Sequence, residues 1–300
     1  MQALVMLSFY SFAAASIAYV LSAICYVVYA VGRVRVRRTS LATGNGPAIV
    51  GTSASLEPTG PAIGQFATML AWFGVVFQGI SLVLRTLAAG HPPLSNMYEF
   101  SSTFVFLVGL VYLLFERHYG VRQLGAIVLP VTVAMIAYVW SLPAYLREVN
   151  PLIPALQNNP MMTFHVSMAI LAYSTFAVAF AAAVLYLVKV RWNVSWLPSA
   201  ALLDDLGFRA VTIGFPAMAL VLILGSVWAY QAWGTYWSWD PKEAAALFTW
   251  LIYGVYLHTR TLRGWRGSRS AIILLVGFAA VVFTYYGNYV FGGLHAYGGV

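Results

Sequence analysis

The sequence lacks charge. Only 8% of its 300 residues are charged and 61% are hydrophobic, with a mean hydropathy of +0.81. A soluble domain carries about 25% charged residues, because it must cover its surface with groups that water solvates. Most of the surface of this chain must therefore face something other than water. This composition excludes a soluble enzyme, a disordered protein and a secreted scaffold held by disulfides.

Cysteine is almost absent. The single one, Cys25, lies midway along an apolar run. A chain without a Cys-x-x-Cys pair has neither the dithiol of a redox enzyme nor a thiolate metal site. The protein's own thiols are therefore not expected to perform its chemistry.

Acidic residues are also scarce, since 8 Asp and Glu stand against 16 Lys and Arg, a formal net charge of +8. Nucleic-acid binding would require a basic patch on a soluble surface. In a membrane protein, an excess of Lys and Arg is ordinary in the cytoplasmic loops. We therefore expect a membrane protein with no nucleic-acid partner.

Long apolar runs take up most of the chain. About 20 apolar residues cross a bilayer core as helix, and no long stretch alternates with the period of two typical of a membrane β-barrel. The first run has no basic residue ahead of it and is long for a signal peptide, so we interpret it as a retained helix. The sequence predicts an all-α, polytopic integral membrane protein with about eight transmembrane helices, at Ala3–Val31, Gln65–Ala89, Tyr98–Phe115, Leu124–Trp140, Met161–Val188, Ala210–Gln231, Glu243–Thr259 and Ser270–Phe291.

The basic residues predict the orientation. Eight spans leave all 16 basic residues except Arg85, Arg147 and Lys242 on one side of the membrane, which is cytoplasmic by the positive-inside rule. Both termini then lie on the outer side. Residues 32–64 are rich in Gly, Pro, Ser, Thr and Ala, and are predicted to form a flexible cytoplasmic linker between a first helix, 1–31, and a seven-helix domain, 65–300.

One predicted outer segment, residues 228–243, is dense in aromatic side chains, and we call it the tryptophan loop. An interfacial belt is one explanation, since Trp and Tyr gather where lipid meets water. A belt would spread over many helix ends, whereas this loop holds WGTYWSW at 233–239. Flat indole faces at this spacing suit a large planar apolar ligand. We therefore predict a ligand platform rather than a belt.

The tryptophan loop runs into a helix start. Asp240 at the N-cap, Pro241 at the first helical position and Glu243 two residues later form the pattern of a capping box. We therefore interpret Asp240 mainly as a capping residue that fixes where the loop meets the seventh helix.

Three histidines lie where a ligand site is plausible. His165 and His295 fall on the outer face, with the tryptophan loop. His258 lies about 16 residues into the seventh span, roughly 24 Å deep at 1.5 Å per residue, and an ionisable residue at membrane depth indicates function. Two imidazoles suit haem iron, whereas zinc prefers three or four ligands. An electron-transfer subunit is less favoured, because no predicted helix carries two histidines.

A family resemblance follows from these motifs. WGTYWSWDPKE at 233–243, followed by YGVYLHTR at 253–260, resembles the tryptophan-rich signature of the haem-handling cytochrome c biogenesis proteins. The span count and three further segments resemble the CcsA type of that family, also called ResC. These segments are PLSNMYEF at 93–100, MTFHVSMAILAY at 162–173 and GLHAYG at 293–298.

The resemblance implies roles for individual residues. By position in the matching segments, His165 and His295 correspond to ligands of a haem iron at the outer face, and His258 to a ligand of haem within the membrane. Haem b would be bound as substrate. The motif residues implied to bind it are Trp233, Gly234, Trp237, Trp239 and Asp240.

The resemblance also implies partner proteins and a cellular location. A CcsB-like (ResB-like) membrane subunit would supply the second ligand within the membrane. Together the two subunits would form the cytochrome c synthetase of system II, which attaches haem covalently to an apocytochrome c with a CxxCH motif. A thioredoxin-like reductant would act on the apocytochrome thiols. The expected location is a bacterial plasma membrane rather than a thylakoid. A haem exporter or carrier that forms no thioethers is the rival function, and a transporter whose loop is only a belt is a more distant one.

Overall fold

The computed structural model describes residues 2–42, 60–149, 152, 156, 160–194 and 196–295, without the side chains of 31–42 and 287–290. Its described residues form long helices and no strand. The helices are α1 (Gln2–Ala42), α2 (Gly60–Ala89), α3 (Met97–Tyr119), α4 (Gly125–Ser141), α5 (Pro160–Trp192), α6 (Ala200–Trp233), α7 (Pro241–Leu262) and α8 (Ser268–Phe291), with short 3₁₀ turns at Arg122–Leu124 and Ala144–Arg147. The all-α prediction is confirmed.

Seven of these helices are long and apolar enough to cross a membrane in the part of the chain that the structure describes. The exception is α7, which was predicted as the seventh of about eight spans. Its 22 residues correspond to about 33 Å at 1.5 Å per residue, so its length is sufficient. It is less apolar than the others because Thr249, Tyr253 and Tyr256 lie on its buried face and His258 and Arg260 near its end.

Two helices overlap the ends of the predicted linker, residues 32–64. Helix α1 continues to Ala42, since arginine is a good helix former and the run from Arg33 to Arg38 does not interrupt the helix. Helix α2 begins at Gly60, with Pro61 in its first turn, where a missing N–H costs nothing. Residues 43–59 lie outside the described part of the chain.

Helix α5 is the centre of the bundle. It packs against α6, α8 and α3, whereas α1 packs against α2 and α4, and α7 packs against α8 and α6. Within its most apolar stretch, 78% of the residues of α5 are buried. A helix in that position must be apolar on all sides, and its alanines at 177, 179 and 181–183 let neighbouring helices approach closely.

A buried ion pair joins the loops at the end of the bundle that carries the tryptophan loop. Arg85 Nε lies 2.8 Å from Glu99 Oε1, and both side chains are almost fully buried. The other two nitrogens of the Arg85 guanidinium donate to the backbone carbonyls of Arg147 and Glu148. Glu99 also accepts from the backbone N–H and the hydroxyl of Ser95. The PLSNMYEF segment is thereby fixed to the loop that leads into α5.

Candidate functional site

A cavity of about 150 Å³ lies at the tryptophan-loop end of the bundle. Helices α3, α5, α6, α7 and α8 all contribute to its walls. Both predicted outer histidines line it, together with Trp228 and Trp237. Since α5 packs directly against α8, two histidines 130 positions apart in the sequence reach one site.

His165 projects from the first turns of α5 onto α6. Its ring lies over Gly225, where a Cβ atom would come within 2.6 Å of His165 Cε1. Only glycine therefore leaves room for the imidazole. His165 Nδ1 lies 2.9 Å from the carbonyl oxygen of Val221. A carbonyl can only accept, so Nδ1 carries the proton and Nε2 carries the lone pair that could bind a metal.

His295 follows α8 and is held by Asp240. Its Nδ1 lies 2.9 Å from Asp240 Oδ1, and the carboxylate accepts the Nδ1 proton, which again makes Nε2 the basic nitrogen. A carboxylate behind a histidine orients the ring and strengthens it as a metal ligand. The two histidines thus present the same ring nitrogen for coordination.

Asp240 also receives two backbone N–H groups, from Lys242 at 2.9 Å and from Leu294 at 2.6 Å. Burial alone would raise the pKa of the Asp240 carboxyl. The hydrogen bonds from His295 and from the two N–H groups outweigh burial and lower that pKa to about 2. Asp240 is therefore a carboxylate at neutral pH. The close approach of Leu294 requires Gly293, whose φ is +123° and where a Cβ would clash with Asp240 Oδ2.

The predicted capping box at the start of α7 is confirmed. Asp240 accepts from the first turn, and Glu243 Oε2 accepts from Asp240 N at 3.2 Å and from Ser238 N at 2.9 Å. Sequence reasoning assigned Asp240 to capping and did not find its contact with His295. The Asp240 carboxylate both caps α7 and accepts from His295, so it joins the start of α7 to the segment after α8.

The Trp228 ring lies close to the rings of both histidines. Its ring is nearly parallel to that of His165, with centroids 6.3 Å apart, and its centroid is 5.9 Å from that of His295. It is only 2% exposed. Trp233, at the end of α6, is 4.8 Å from both Trp228 and His295. These two indoles hold the His295 side of the site in place.

The remaining members of the tryptophan motif differ in position. Gly234, with φ of 78°, ends α6 in the left-handed conformation, and its N–H donates to Tyr230 O. This is the ordinary place of a C-terminal glycine. Trp237 lines the cavity, whereas Trp239 is 69% exposed and does not. Their rings meet edge to face at 5.6 Å, and Trp239 has a positive φ of 58°, unusual for a residue with a side chain.

His258 is not part of this cavity. It lies near the opposite end of α7, on an exposed face of the helix. The structure therefore brings together two of the three predicted histidine ligands and leaves the third at a separate surface. Two histidines are a donor set suited to haem iron rather than zinc, and among the described residues no group of three or more His, Cys, Asp or Glu side chains is placed to hold a metal ion.

Three residues of the site escaped sequence reasoning. Gly225 and Val221 position His165 through α6, and nothing in the local sequence distinguishes them from other apolar helix residues. Lys242 also lines the cavity. Its signal was available, because it is one of the three basic residues predicted to lie on the outer side of the membrane.

Residues 94–295 match the family model described as "Cytochrome C assembly protein". The curated protein "Cytochrome c biogenesis protein CcsA" of Guillardia theta is 36% identical over 263 residues, covering 79% of this chain and 85% of its own length. The protein of the same name in Synechococcus elongatus is 34% identical, covering 79% and 88%, and that of Chlamydomonas reinhardtii is 39% identical, covering 72% and 64%.

One solved structure, "Cytochrome c Heme Lyase CcmF", superposes with a TM-score of 0.67 over 98% of this chain and 48% of that one. At 17% identity, this likeness concerns the fold. The family-model match spans most of the chain, and relatives above 30% identity are covered over most of their length. The chain therefore belongs to the CcsA-type cytochrome c biogenesis proteins.

Proposed function

We propose that this membrane protein binds haem in the cavity beside the tryptophan loop and promotes its covalent attachment to apocytochromes c. The observation that carries the proposal is the pair of histidines, His165 and His295, which line one cavity from segments distant in sequence. Each ring donates its Nδ1 proton to a fixed acceptor. Both Nε2 atoms are therefore the basic nitrogens that an iron would take as axial ligands.

The side chains around these histidines are of the kinds that bind a porphyrin. Trp228 and Trp237 supply flat apolar faces in the cavity wall. Asp240 accepts from His295 and is ionised, which increases the basicity of that ring as a ligand. Gly225 provides the space into which His165 is set. The haem b substrate would thus be held by coordination on both faces and by aromatic contacts at the protein surface.

The proposed reaction joins two vinyl groups of haem to two cysteine thiols of the CxxCH motif. Each sulfur forms a bond to one vinyl carbon and its proton passes to the other, so no electrons are consumed by the addition itself. A thioredoxin-like reductant would keep the thiols reduced beforehand. The motif histidine of the apocytochrome would replace one of the two histidine ligands and allow release. Holding both reactants in one pose would supply the rate gain.

His258 is proposed as a ligand for haem within the membrane. Because it lies on an exposed face of α7 and not among the described residues of the cavity, its iron would need a second ligand from another chain. A CcsB-like membrane subunit is the proposed source. The synthase activity would then belong to the complex of both subunits, with this chain providing the site beside the tryptophan loop.

The proposed orientation places the tryptophan loop and both termini on the outer side, from the distribution of basic residues. We propose a bacterial plasma membrane as the location, with a thylakoid membrane as the alternative. Alkaline phosphatase fused after Trp233 should be active and the same enzyme fused after Arg266 inactive. Activity at Arg266 alone would reverse the orientation.

Expression of a CxxCH reporter with the full-length chain and its partner tests the function. Haem should co-purify with the complex, and the reporter should acquire covalent haem only when this chain is present. Haem on the complex without thioethers on the reporter would favour the exporter or carrier function. A complex that binds no haem would leave the tryptophan loop as an interfacial belt.

A further inference from the structure

Lys242 occupies an unusual place for a lysine. It is the second residue of α7, near the end of the tryptophan loop, and its side chain lines the same cavity as His165 and His295. Among the described residues of the cavity wall it is the one lysine or arginine. The cavity therefore contains a single fixed cation next to the two proposed iron ligands.

This ammonium group has little to compensate its burial. Its Nζ lies 6.0 Å from the centroid of the Phe100 ring, at the outer limit of a cation–π contact. Within the described part of the chain, Lys242 Nζ has no hydrogen-bond acceptor. Lys242 is half-buried, and a charge partly removed from water is costly unless it is paired, so this lysine is suited to a partner that arrives with the ligand.

The two nearby carboxylates are already engaged. Asp240 accepts from His295 and from the backbone N–H of Leu294. Glu243 accepts from the N–H groups of Ser238 and Asp240. Both acids thus stabilise the loop and the helix start. Among the described residues neither forms an ion pair with Lys242, which Asp240 stabilises only through space. The N-terminal end of α7 adds a partial positive charge on the same side.

We propose that Lys242 binds a propionate carboxylate of the haem held by His165 and His295. The inference rests on the proposed function and adds to it the residue that orients the porphyrin ring in the cavity. A porphyrin bound by two axial histidines can still rotate about the line between them. In haem b the propionates and the vinyls lie on opposite edges, so a propionate fixed at Lys242 directs the vinyls away from α7. Lys242 is in this sense a positioning residue for the addition of the two thiols.

Haem and its dimethyl ester separate this role from a general effect on the site. Both would be titrated into the purified full-length chain in detergent, in the His258→Ala background so that bound haem reports the cavity beside the tryptophan loop. Lys242→Gln should weaken haem binding by about tenfold, the usual worth of a charge-assisted hydrogen bond. It should leave the affinity for the dimethyl ester unchanged, because the ester has no carboxylate. Lys242→Arg should restore most of the affinity for haem.

Lys189→Gln is the matched control. Lys189 is the other lysine of the chain and donates to the backbone carbonyl of Val194 near the far end of α5, so both ligands should bind that variant normally. Equal loss of haem and ester binding in Lys242→Gln would show a structural role and overturn the inference, as would no loss of either. In both of these outcomes wild-type haem binding persists, and the proposed function stands. Failure of the parent chain to bind haem would instead contradict the proposed function.

Discussion

His295 and Asp240 are 55 residues apart in the sequence and lie 2.9 Å from each other, Nδ1 to Oδ1. The contact joins the segment after α8 to the residue that caps α7. The Asp240 carboxylate therefore caps α7, orients the His295 imidazole and holds the segment that follows α8. We therefore expect changes at Asp240 to affect the orientation of His295 more strongly than the folding of the chain.

Asp240→Asn should weaken haem binding by about tenfold, since removal of a carboxylate behind a histidine ligand costs 10–100-fold in metal affinity. Asparagine still caps a helix, so the protein should fold, but its melting temperature at neutral pH should fall because the stabilisation from the charged carboxylate is lost. Haem titration and a thermal melt measure the two effects. Asp205→Asn serves as control, because Asp205 pairs with Arg209 on an exposed part of α6. Equal haem affinity in both variants would contradict the role of Asp240.

The same carboxylate predicts an acid transition. The pKa of Asp240 is lowered to about 2 in the folded protein, from an ordinary value of 3.8. The folded state is therefore stabilised by this group above about pH 4, and that stabilisation is lost as the pH falls toward 2. Thermal melts between pH 5 and pH 2 should show a steeper decline for the wild type than for Asp240→Asn. Parallel curves for the two proteins would show that Asp240 titrates normally.

Gly225→Ala should displace His165. The new Cβ would lie 2.6 Å from the imidazole Cε1, closer than real atoms approach, so the ring must move. We expect the protein to accumulate normally but its bound haem to lose the low-spin, bis-histidine spectrum. Gly254→Ala is the matched control, since its Cβ would meet Phe215 at 3.5 Å, an ordinary contact. An unchanged spectrum in Gly225→Ala would show that His165 does not bind the iron.

His165→Gly and His295→Gly should each abolish cytochrome c maturation and recover part of it with millimolar imidazole. Each change leaves a space the size of the lost ring and one open coordination position, which free imidazole can fill. The spectrum of the bound haem should return toward the low-spin form at the same time. Maturation at the wild-type level without imidazole would mean that the iron is bound elsewhere. His91, in the loop between α2 and α3 and predicted to lie on the outer side, would be tested next.

His258→Ala should lower the haem content of the complex with its partner and also prevent loading of the cavity beside the tryptophan loop from the membrane. The reason is that the proposed site within the membrane precedes that cavity on the haem route. His118→Ala, at an exposed histidine on α3, should have neither effect. Normal haem content together with normal maturation would make His258 a structural residue.

The sequence was sufficient for the helices and for the chemistry of single residues. Runs of about 20 apolar residues predict spans because the bilayer acts on each segment separately. The capping box at Asp240 and Glu243 was predictable because its partners are three residues apart. The low apolarity of α7 and the helix ends at Ala42 and Gly60 also follow from local composition and propensity, and the prediction of eight spans and a linker overlooked them.

The site itself came from tertiary packing. His165 and His295 were expected on one face of the membrane, but the contact of α5 with α8 brings them to one cavity. The links from His165 to Val221 and from His295 to Asp240 join residues more than 50 positions apart, and no local pattern encodes such pairs. The sequence determined which side chains could bind iron, because that depends on their chemistry. Only the folded bundle decided which nitrogen each of them presents, because that depends on the acceptor that packing places behind the ring.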